Sequence, residues 1–397
     1  MAASPKLPAF DPADPLGIDD LLEPEDLAVR DTVRSWAADR VLPHIADWYE
    51  SGELPGIREL ARELGGIGAL GMSLEGYGCA GASAVQYGLA CLELEAADSG
   101  IRSLVSVQGS LAMYAIHRFG SEGQRQEWLP RMAGGEVIGC FGLTEPDHGS
   151  DPANMRTNAK RDTGGDWVLN GRKMWITNGS VAGVAVVWAQ TEEGIRGFVV
   201  PTDSPGFSAP EIKHKWSLRA SVTSELVLDD VRLAADAVLP EATGLRGPLS
   251  CLTHARYGIV WGSMGAARSS FEAAVEYAKS REQFGRAIGG FQLTQAKLAD
   301  MAVELHKGIL LAHHLGRRMD AGRLRPEQVS FGKLNNVREA IDICRTARTI
   351  LGANGISLEY PVMRHATNLE SVLTYEGTVE MHQLVLGKAL TGLDAFR

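Results

Sequence analysis

Between Glu25 and about Met132, apolar residues recur three or four positions apart, as in Val29, Val33, Trp36 and Ala37 and again in Ile57, Leu60, Ala61 and Leu64. On a helix this spacing gathers them into one stripe, so the segment is predicted to form amphipathic helices, broken by glycine clusters at 65–71 and 76–81. The pattern changes near Gly134. Segments 166–169 and 173–176 flank Asn170-Gly171, a pair that tolerates positive φ and predicts a hairpin turn. Segments 184–188 and 197–200 predict a second hairpin around Glu193-Gly194, and 225–228 a further strand. Helical spacing returns after Leu249. Ile259, Met264, Ala267, Phe271, Val275 and Ala278 mark one long helix, and 295–318 and 330–351 two more. The expected order is a helical domain at 1–133, a small β domain at 134–246 and a helical bundle at 247–397, an α+β architecture whose bundle suits oligomer formation.

A chain of 397 residues exceeds one ordinary core and suits about two or three domains. With 39 basic and 49 acidic residues, a net charge of -10 and no block of one sign, nucleic acid is not an expected partner. Cys79, Cys91, Cys140, Cys251 and Cys344 lie far apart without metal-ligand spacing, as expected of thiols in a reducing compartment. Residues 1–20 have neither the basic-then-apolar order of a signal peptide nor the arginines of a transit peptide, and the apolar run 181–189 is far below the roughly 20 residues of a membrane span. A soluble cytoplasmic protein is expected, with no membrane contact. His313-His314 occupy adjacent helix positions that face different ways, so no metal is assigned. The run 66–71 matches G-x-G-x-x-G, but that fingerprint needs a strand before it, and 57–64 reads as helix. Its glycines are read as helix ends.

The chemistry-bearing motifs appear in order along nearly the whole chain. They are Phe141-Gly142-Leu143-Thr144-Glu145-Pro146 with Gly149-Ser150-Asp151; Trp175-Ile176-Thr177-Asn178; Arg281-Glu282-Gln283-Phe284-Gly285 with Phe291-Gln292; Leu351-Gly352-Ala353-Asn354-Gly355; and Tyr375-Glu376-Gly377-Thr378. Together they resemble the signatures of the acyl-CoA dehydrogenase family. The resemblance is closest to the glutaryl-CoA dehydrogenase branch, through 75–81, 98–103 with Val107-Gln108, and 255–259. It implies N-terminal helices, a middle β barrel and a C-terminal four-helix bundle, in a homotetramer that binds FAD partly across a subunit interface. It also implies reoxidation by electron-transfer flavoprotein and a place in lysine or tryptophan breakdown.

By that resemblance Glu376 is the catalytic base. Oxidising a saturated acyl thioester removes an α-proton while a hydride leaves the β-carbon for the flavin. A carboxylate becomes an adequate base in a dry site that raises its pKa, when the thioester oxygen accepts hydrogen bonds. The implied donors are the Glu376 backbone N–H and a flavin ribityl hydroxyl. General base catalysis contributes about a hundredfold to ten-thousandfold, and an oxyanion donor roughly 3 to 4 kcal/mol.

Arg102 is the expected partner of a distal substrate carboxylate, possible as a bidentate pair, with Ser103 beside it. Glu95, seven residues earlier, shares its helix face if one helix spans both. Glu95 and Tyr375 favour loss of CO2 from glutaconyl-CoA to give crotonyl-CoA. Gly377, Ser150 and the stretch 249–256 with Arg256 match positions on the substrate and CoA side. For FAD the resemblance implies Phe141, Leu143, Thr144, Ser150, Trp175, Ile176, Thr177, Thr378 and Phe396, and, from a neighbouring subunit, Arg281, Phe284, Gln292, Leu351 and Gly352. Ala353 stands where the family has a second glycine, which adds a methyl group where backbone approaches cofactor. The competing readings are a non-decarboxylating glutaryl-CoA dehydrogenase, another short- or branched-chain acyl-CoA dehydrogenase, and a catalytically silent helical scaffold.

Overall fold

The computed structural model describes residues 10–395. Seven helices come first: α1 (Pro24–Arg40), α2 (Ile45–Ser51), α3 (Ile57–Gly66), α4 (Ala84–Ala97), α5 (Ser99–Ser106), α6 (Tyr114–Phe119) and α7 (Glu122–Ala133). Their starts are written locally. Ser83 with Gln86 caps α4 and Ser121 with Gln124 caps α7, each pair satisfying two otherwise unpartnered backbone N–H groups. A π-helical turn, Val107–Met113, joins α5 to α6 without leaving right-handed backbone. Within it Gln108 donates to Met132 O and Val137 O at 3.0 and 2.8 Å and accepts from Gly139 N at 2.6 Å, tying the helices to the first strand.

The middle of the chain is one seven-stranded sheet: β1 (Gly139–Gly142), β2 (Asn158–Arg161), β3 (Trp167–Thr177), β4 (Val184–Thr191), β5 (Gly194–Pro201), β6 (Phe207–Ser208) and β7 (Thr223–Leu233). Strands run in the order β1-β4-β2-β3-β7-β6, with β5 also on β4. Among the described residues no ladder joins β5 to β6; the sheet rolls up instead around Trp167, Leu169, Val187, Phe198, Val200, Leu226 and Val231. Its outer face, with Phe141, Leu143, Val186 and Trp188, packs on α6, α7 and the start of the next helix. Strand β4 is therefore covered on both faces, which explains its unbroken apolar run.

The last segment is α8 (Arg246–Ser280), α9 (Gln292–Asp320), α10 (Pro326–Leu351), α11 (Pro361–Thr374) and α12 (Val379–Thr391). Helix α8 presents Gly258, Gly262 and Gly265 toward α4. A Cβ at Gly265 would collide with Leu92 O, one at Gly262 with the Glu95 carboxylate, and one at Gly258 with the Tyr87 hydroxyl. This stripe lets the two buried helices approach closely. Among the described residues no helix is long and apolar enough to cross a membrane.

The hairpin expected at Asn170-Gly171 does not form. Strand β3 runs straight through it, pairing with β2 and β7. The register slips between Leu169 and Gly171, and Asn170 exchanges hydrogen bonds with Asp230, its Nδ2 donating to Asp230 Oδ1 and its Oδ1 accepting from Asp230 N, both at 2.9 Å. The positive φ belongs partly to the partner strand, at Asp230 (49°). Gly171 is needed for proximity: a Cβ there would lie 2.5 Å from Thr157 Oγ1. The second expected hairpin is β4–β5, with Thr191 opposite Gly194 and the turn one residue earlier than expected. Gly171→Ala should destabilise the protein by about 1–3 kcal/mol through overpacking, read from the midpoint of urea unfolding, whereas Gly149→Ala, at a site with open space and no left-handed backbone, should cost less.

Candidate active site

Glu376 lies in the link between α11 and α12. Tyr375 is extended, Glu376 has φ 53°, Gly377 has φ 105°, and the Thr378 hydroxyl caps α12 by accepting from Met381 N at 3.3 Å. Left-handed backbone costs a non-glycine residue roughly 1–2 kcal/mol and persists only where its surroundings impose it. Here they do so through the carbonyls. Lys333 Nζ, from α10, donates to Tyr375 O at 2.6 Å and to Gly377 O at 2.7 Å. Arg256 Nε, from α8, donates to Glu376 O at 2.5 Å.

The Glu376 Oε2 atom is buried without a hydrogen-bond partner among the described residues. Burial raises its pKa, opposed by the positive charges of Arg102, Lys333 and Arg256 and assisted by Glu95. The net shift is upward. A carboxylate in this state gains basicity while the surrounding cations keep its ionised form accessible. Burial conversely lowers the pKa of Lys333 and of Arg256, with Glu376 opposing both shifts.

Arg102 reaches the same pocket from α5 with 1% of its surface exposed. Its Nε donates to Glu95 Oε2 at 2.7 Å, and its Nη2 donates to the Tyr375 hydroxyl. Ser99 Oγ donates to the other Glu95 oxygen at 2.8 Å. Burial opposes the charge on Arg102, but Glu95, Tyr375 and Glu376 raise its pKa well above the usual value. Glu95 and Arg102 do not share one helix, as the spacing suggested. Asp98 breaks the chain between α4 and α5 in extended backbone, caps α5 through Gly100 N at 2.7 Å, and is held by Arg364 at 2.6 Å and Asn368 at 2.9 Å. The pair meets across this break. With Nε on Glu95 and one Nη2 hydrogen on Tyr375, the guanidinium keeps both Nη1 hydrogens and one on Nη2 for a ligand. Ser103 Oγ and Ser106 Oγ, on the same helix, are buried without partners among the described residues.

Arg256 enters the site from α8. Its Nε donates to the Glu376 carbonyl in the interior, so this nitrogen is engaged with the catalytic link. Gly377 also has a packing reason, since a Cβ there would come within 2.9 Å of His382 Nε2 and 3.3 Å of Arg256 Nη2. Ser150 lies on an exposed loop, and Phe396 falls outside the described residues.

The residues expected around a flavin separate into two groups. In the first, Met174 N donates to Thr144 O at 2.8 Å and joins the ends of β1 and β3. Phe141 and Leu143 bury on the outer face of the sheet and Ile176 inside the roll, so these three do not share one wall. What the strand ends present outward is Trp175, 58% exposed at φ 63°, between half-buried Thr144 and Thr177. Beneath them Lys173 Nζ bridges Leu143 O and Glu145 at 3.1 and 2.8 Å. Burial pushes the Glu145 pKa up, but hydrogen bonds from Arg156, Lys173 and Thr157 hold it down at about 2. A planar apolar ring fits against such an exposed tryptophan on a rigid base.

The second group lies at the far end of the bundle. Arg281 ends α8, Phe284 is 93% exposed in the ribbon that follows, Gln292 opens α9, and Leu351 and Gly352 end α10. Asn354 Nδ2 donates to Tyr277 OH at 3.0 Å, joining the turn after α10 to α8. At the helical rise, Arg281 is about 37 Å along α8 from Arg256. The second group thus lies far along the bundle from the Arg256 contact with the Glu376 link.

Lys333 and His382 were missed in the sequence. The signal for Lys333 is a lysine inside the apolar i, i+4 stripe Val329, Lys333, Val337. Buried His382 accepts or donates through Nδ1 to Ser330 Oγ at 3.0 Å, and burial with Lys333 and Arg256 nearby holds its pKa down at about 3. Among the described residues no cluster of His, Cys, Asp and Glu suits a metal ion.

Three family models match in succession: acyl-CoA dehydrogenase N-terminal domain at 23–136, middle domain at 140–231 and C-terminal domain at 242–391. The chain belongs to the acyl-CoA dehydrogenase family and is an enzyme of that kind. It is 36% identical over 296 residues to the mitochondrial short-chain specific acyl-CoA dehydrogenase of Homo sapiens, covering 73% of this chain and 71% of that relative. A crystal structure of glutaryl-CoA dehydrogenase from Mycobacterium smegmatis is 72% identical, with TM-score 0.95 over 97% of this chain and 99% of the other. Another, from the same organism in complex with FADH2, is 63% identical, with TM-score 0.96 over 98% and 100%.

The raised pKa of Glu376 has a definite sign in stability. A carboxyl whose folded pKa exceeds its unfolded value costs stability as pH rises from the unfolded to the folded pKa. Glu376→Gln should therefore gain in unfolding temperature relative to the parent on going from mildly acid to mildly alkaline buffer. A difference that does not change with pH would contradict the raised pKa.

Proposed function

We propose that this acyl-CoA dehydrogenase uses FAD to oxidise glutaryl-CoA and then decarboxylates the product to crotonyl-CoA, passing its electrons to electron-transfer flavoprotein. The observation that carries this reading is a buried guanidinium, Arg102, in the same pocket as the buried carboxylate Glu376. A saturated acyl chain needs the base; only a substrate with a second negative charge needs the arginine.

Glu376 Oε2 takes the α-proton. Its backbone N–H stands next to the thioester oxygen, in a link whose carbonyls are fixed by Lys333 and Arg256. The flavin held at this site would supply the acceptor for the β-hydrogen and its electron pair. Thr144, Trp175 and Thr177 hold the ring, and Arg281, Phe284, Gln292, Leu351 and Gly352 hold the far end of a neighbouring subunit's cofactor. The distance along α8 supports that division, and the family resemblance supports a homotetramer. The distal carboxylate accepts from Arg102 Nη1 and Ser103 Oγ. The Tyr375 hydroxyl, which accepts from Arg102, keeps its own proton to donate there.

Glutaconyl-CoA then loses CO2. The electrons of the broken carbon–carbon bond pass into a dienolate conjugated with the thioester, and protonated Glu376 returns the proton to carbon. Glu95 aids this step by engaging Arg102 Nε, so the guanidinium grips the departing carboxylate by one edge. One charged hydrogen bond contributes about 1.5–3 kcal/mol, enough to select glutaryl-CoA over an uncharged chain yet weak enough to release CO2.

Anaerobic mixing with glutaryl-CoA should bleach the flavin, with at least a tenfold higher rate per concentration than butyryl-CoA, and turnover with an acceptor should yield crotonyl-CoA. Preference for butyryl-CoA would remove glutaryl-CoA as substrate; glutaconyl-CoA as sole product would remove only the decarboxylation. Glu95→Gln should raise the glutaconyl-CoA share, measured by chromatography of the products.

A further inference from the structure

Lys333 touches neither substrate nor cofactor in the chemistry described so far, yet its side chain is 2% exposed and ends beneath the catalytic link, on its carbonyls. A buried ammonium ordinarily sits on a carboxylate. Among the described residues Lys333 forms no salt bridge, and its hydrogen bonds go to the carbonyls of Tyr375 and Gly377, the two neighbours of Glu376. Arg256 occupies the carbonyl between them. The base is thus gripped by main chain on both sides, in the left-handed conformation that its side chain resists.

We propose that Lys333 is a positioning residue that holds Glu376 at the α-carbon of the substrate and, by its positive charge, keeps the carboxylate ionised. This rests on Glu376 being the base. Two features make the role local. Lys333 stands in the middle of α10, whose apolar neighbours Val329 and Val337 already pack in the core, so the ammonium is not required to bury that face. Its contacts are to carbonyl oxygens that a neutral donor can also satisfy, whereas its charge acts on a carboxylate with which it makes no hydrogen bond. The other charged or titratable groups facing Glu376 are Arg102 and Glu95 from α5 and α4, Arg256 from α8, Cys91 from α4 and Tyr375 beside it. His382, from α12, faces Lys333 and Arg256. None of these touches both flanking carbonyls.

The test uses the FAD-loaded enzyme and an acyl-CoA in which sulfur replaces the β-carbon, a compound that can lose its α-proton but no hydride. Exchange of the α-protons in deuterated buffer, followed by mass spectrometry, reads the base without flavin reduction. Lys333→Met should slow exchange at least tenfold at neutral pH and move the acid limb of its pH profile upward, because loss of a nearby positive charge raises the Glu376 pKa. Lys333→Gln, which keeps a donor without the charge, should recover part of the rate while retaining the displaced limb. Wild-type rate and limb in either folded variant would overturn the proposal. Failure of both variants to fold with flavin would also overturn it, by making Lys333 a support of the whole bundle. Glu376→Gln is the control: if it still exchanges α-protons at the parent rate, the base assignment itself fails, and not only the role of Lys333.

Discussion

A guanidinium can stay charged out of contact with water only when an anion faces it, and Glu95 does so for Arg102 at 2.7 Å. The rest of the candidate site hangs on that pair. Gly262 leaves the space that the Glu95 carboxylate occupies, Asp98 turns the chain so that α5 can bring Arg102 back onto α4, and Arg364 and Asn368 hold Asp98 in place. Tyr375 then receives the second side of the guanidinium, next to the base. Removing either charge would leave the other buried and unpaired, a loss of about 3–5 kcal/mol that the neighbouring hydrogen bonds do not offset.

The same economy recurs on the opposite wall, with the sign of the partners changed. Lys333 and Arg256 enter the pocket as cations but spend their hydrogen bonds on carbonyl oxygens, leaving their charge to be felt through space by Glu376. A carboxylate raised by burial and lowered by three cations is held between two extremes. Too dry, it would remain protonated; too well paired, it would cease to be a base.

Much of this was legible in the sequence, and the failures have physical causes. Helix spacing located α8, α9 and α10 because each buries a stripe over many turns, and the apolar run of β4 was visible because both faces are covered. Asn170-Gly171 misled because its two residues serve a bulge and a close approach to Thr157, uses that share the letters of a turn. The one helix on which the Glu95–Arg102 spacing was conditioned is broken by Asp98, which Arg364, far away in the chain, holds in place. Lys333 was passed over because a lone lysine is ordinarily solvated; only its place among Val329 and Val337 distinguished it. Local pattern reveals elements, and the chemistry of a site emerges when several of them converge.

Helix α8 touches the catalytic link at Arg256 and ends just before Arg281, about 37 Å further on. In the proposed division of the cofactor between neighbouring chains, its retention becomes a property of the assembly and not of the folded subunit. On dilution, loss of neighbours and loss of flavin would then be one event, so the colour of the solution would report how many subunits remain joined.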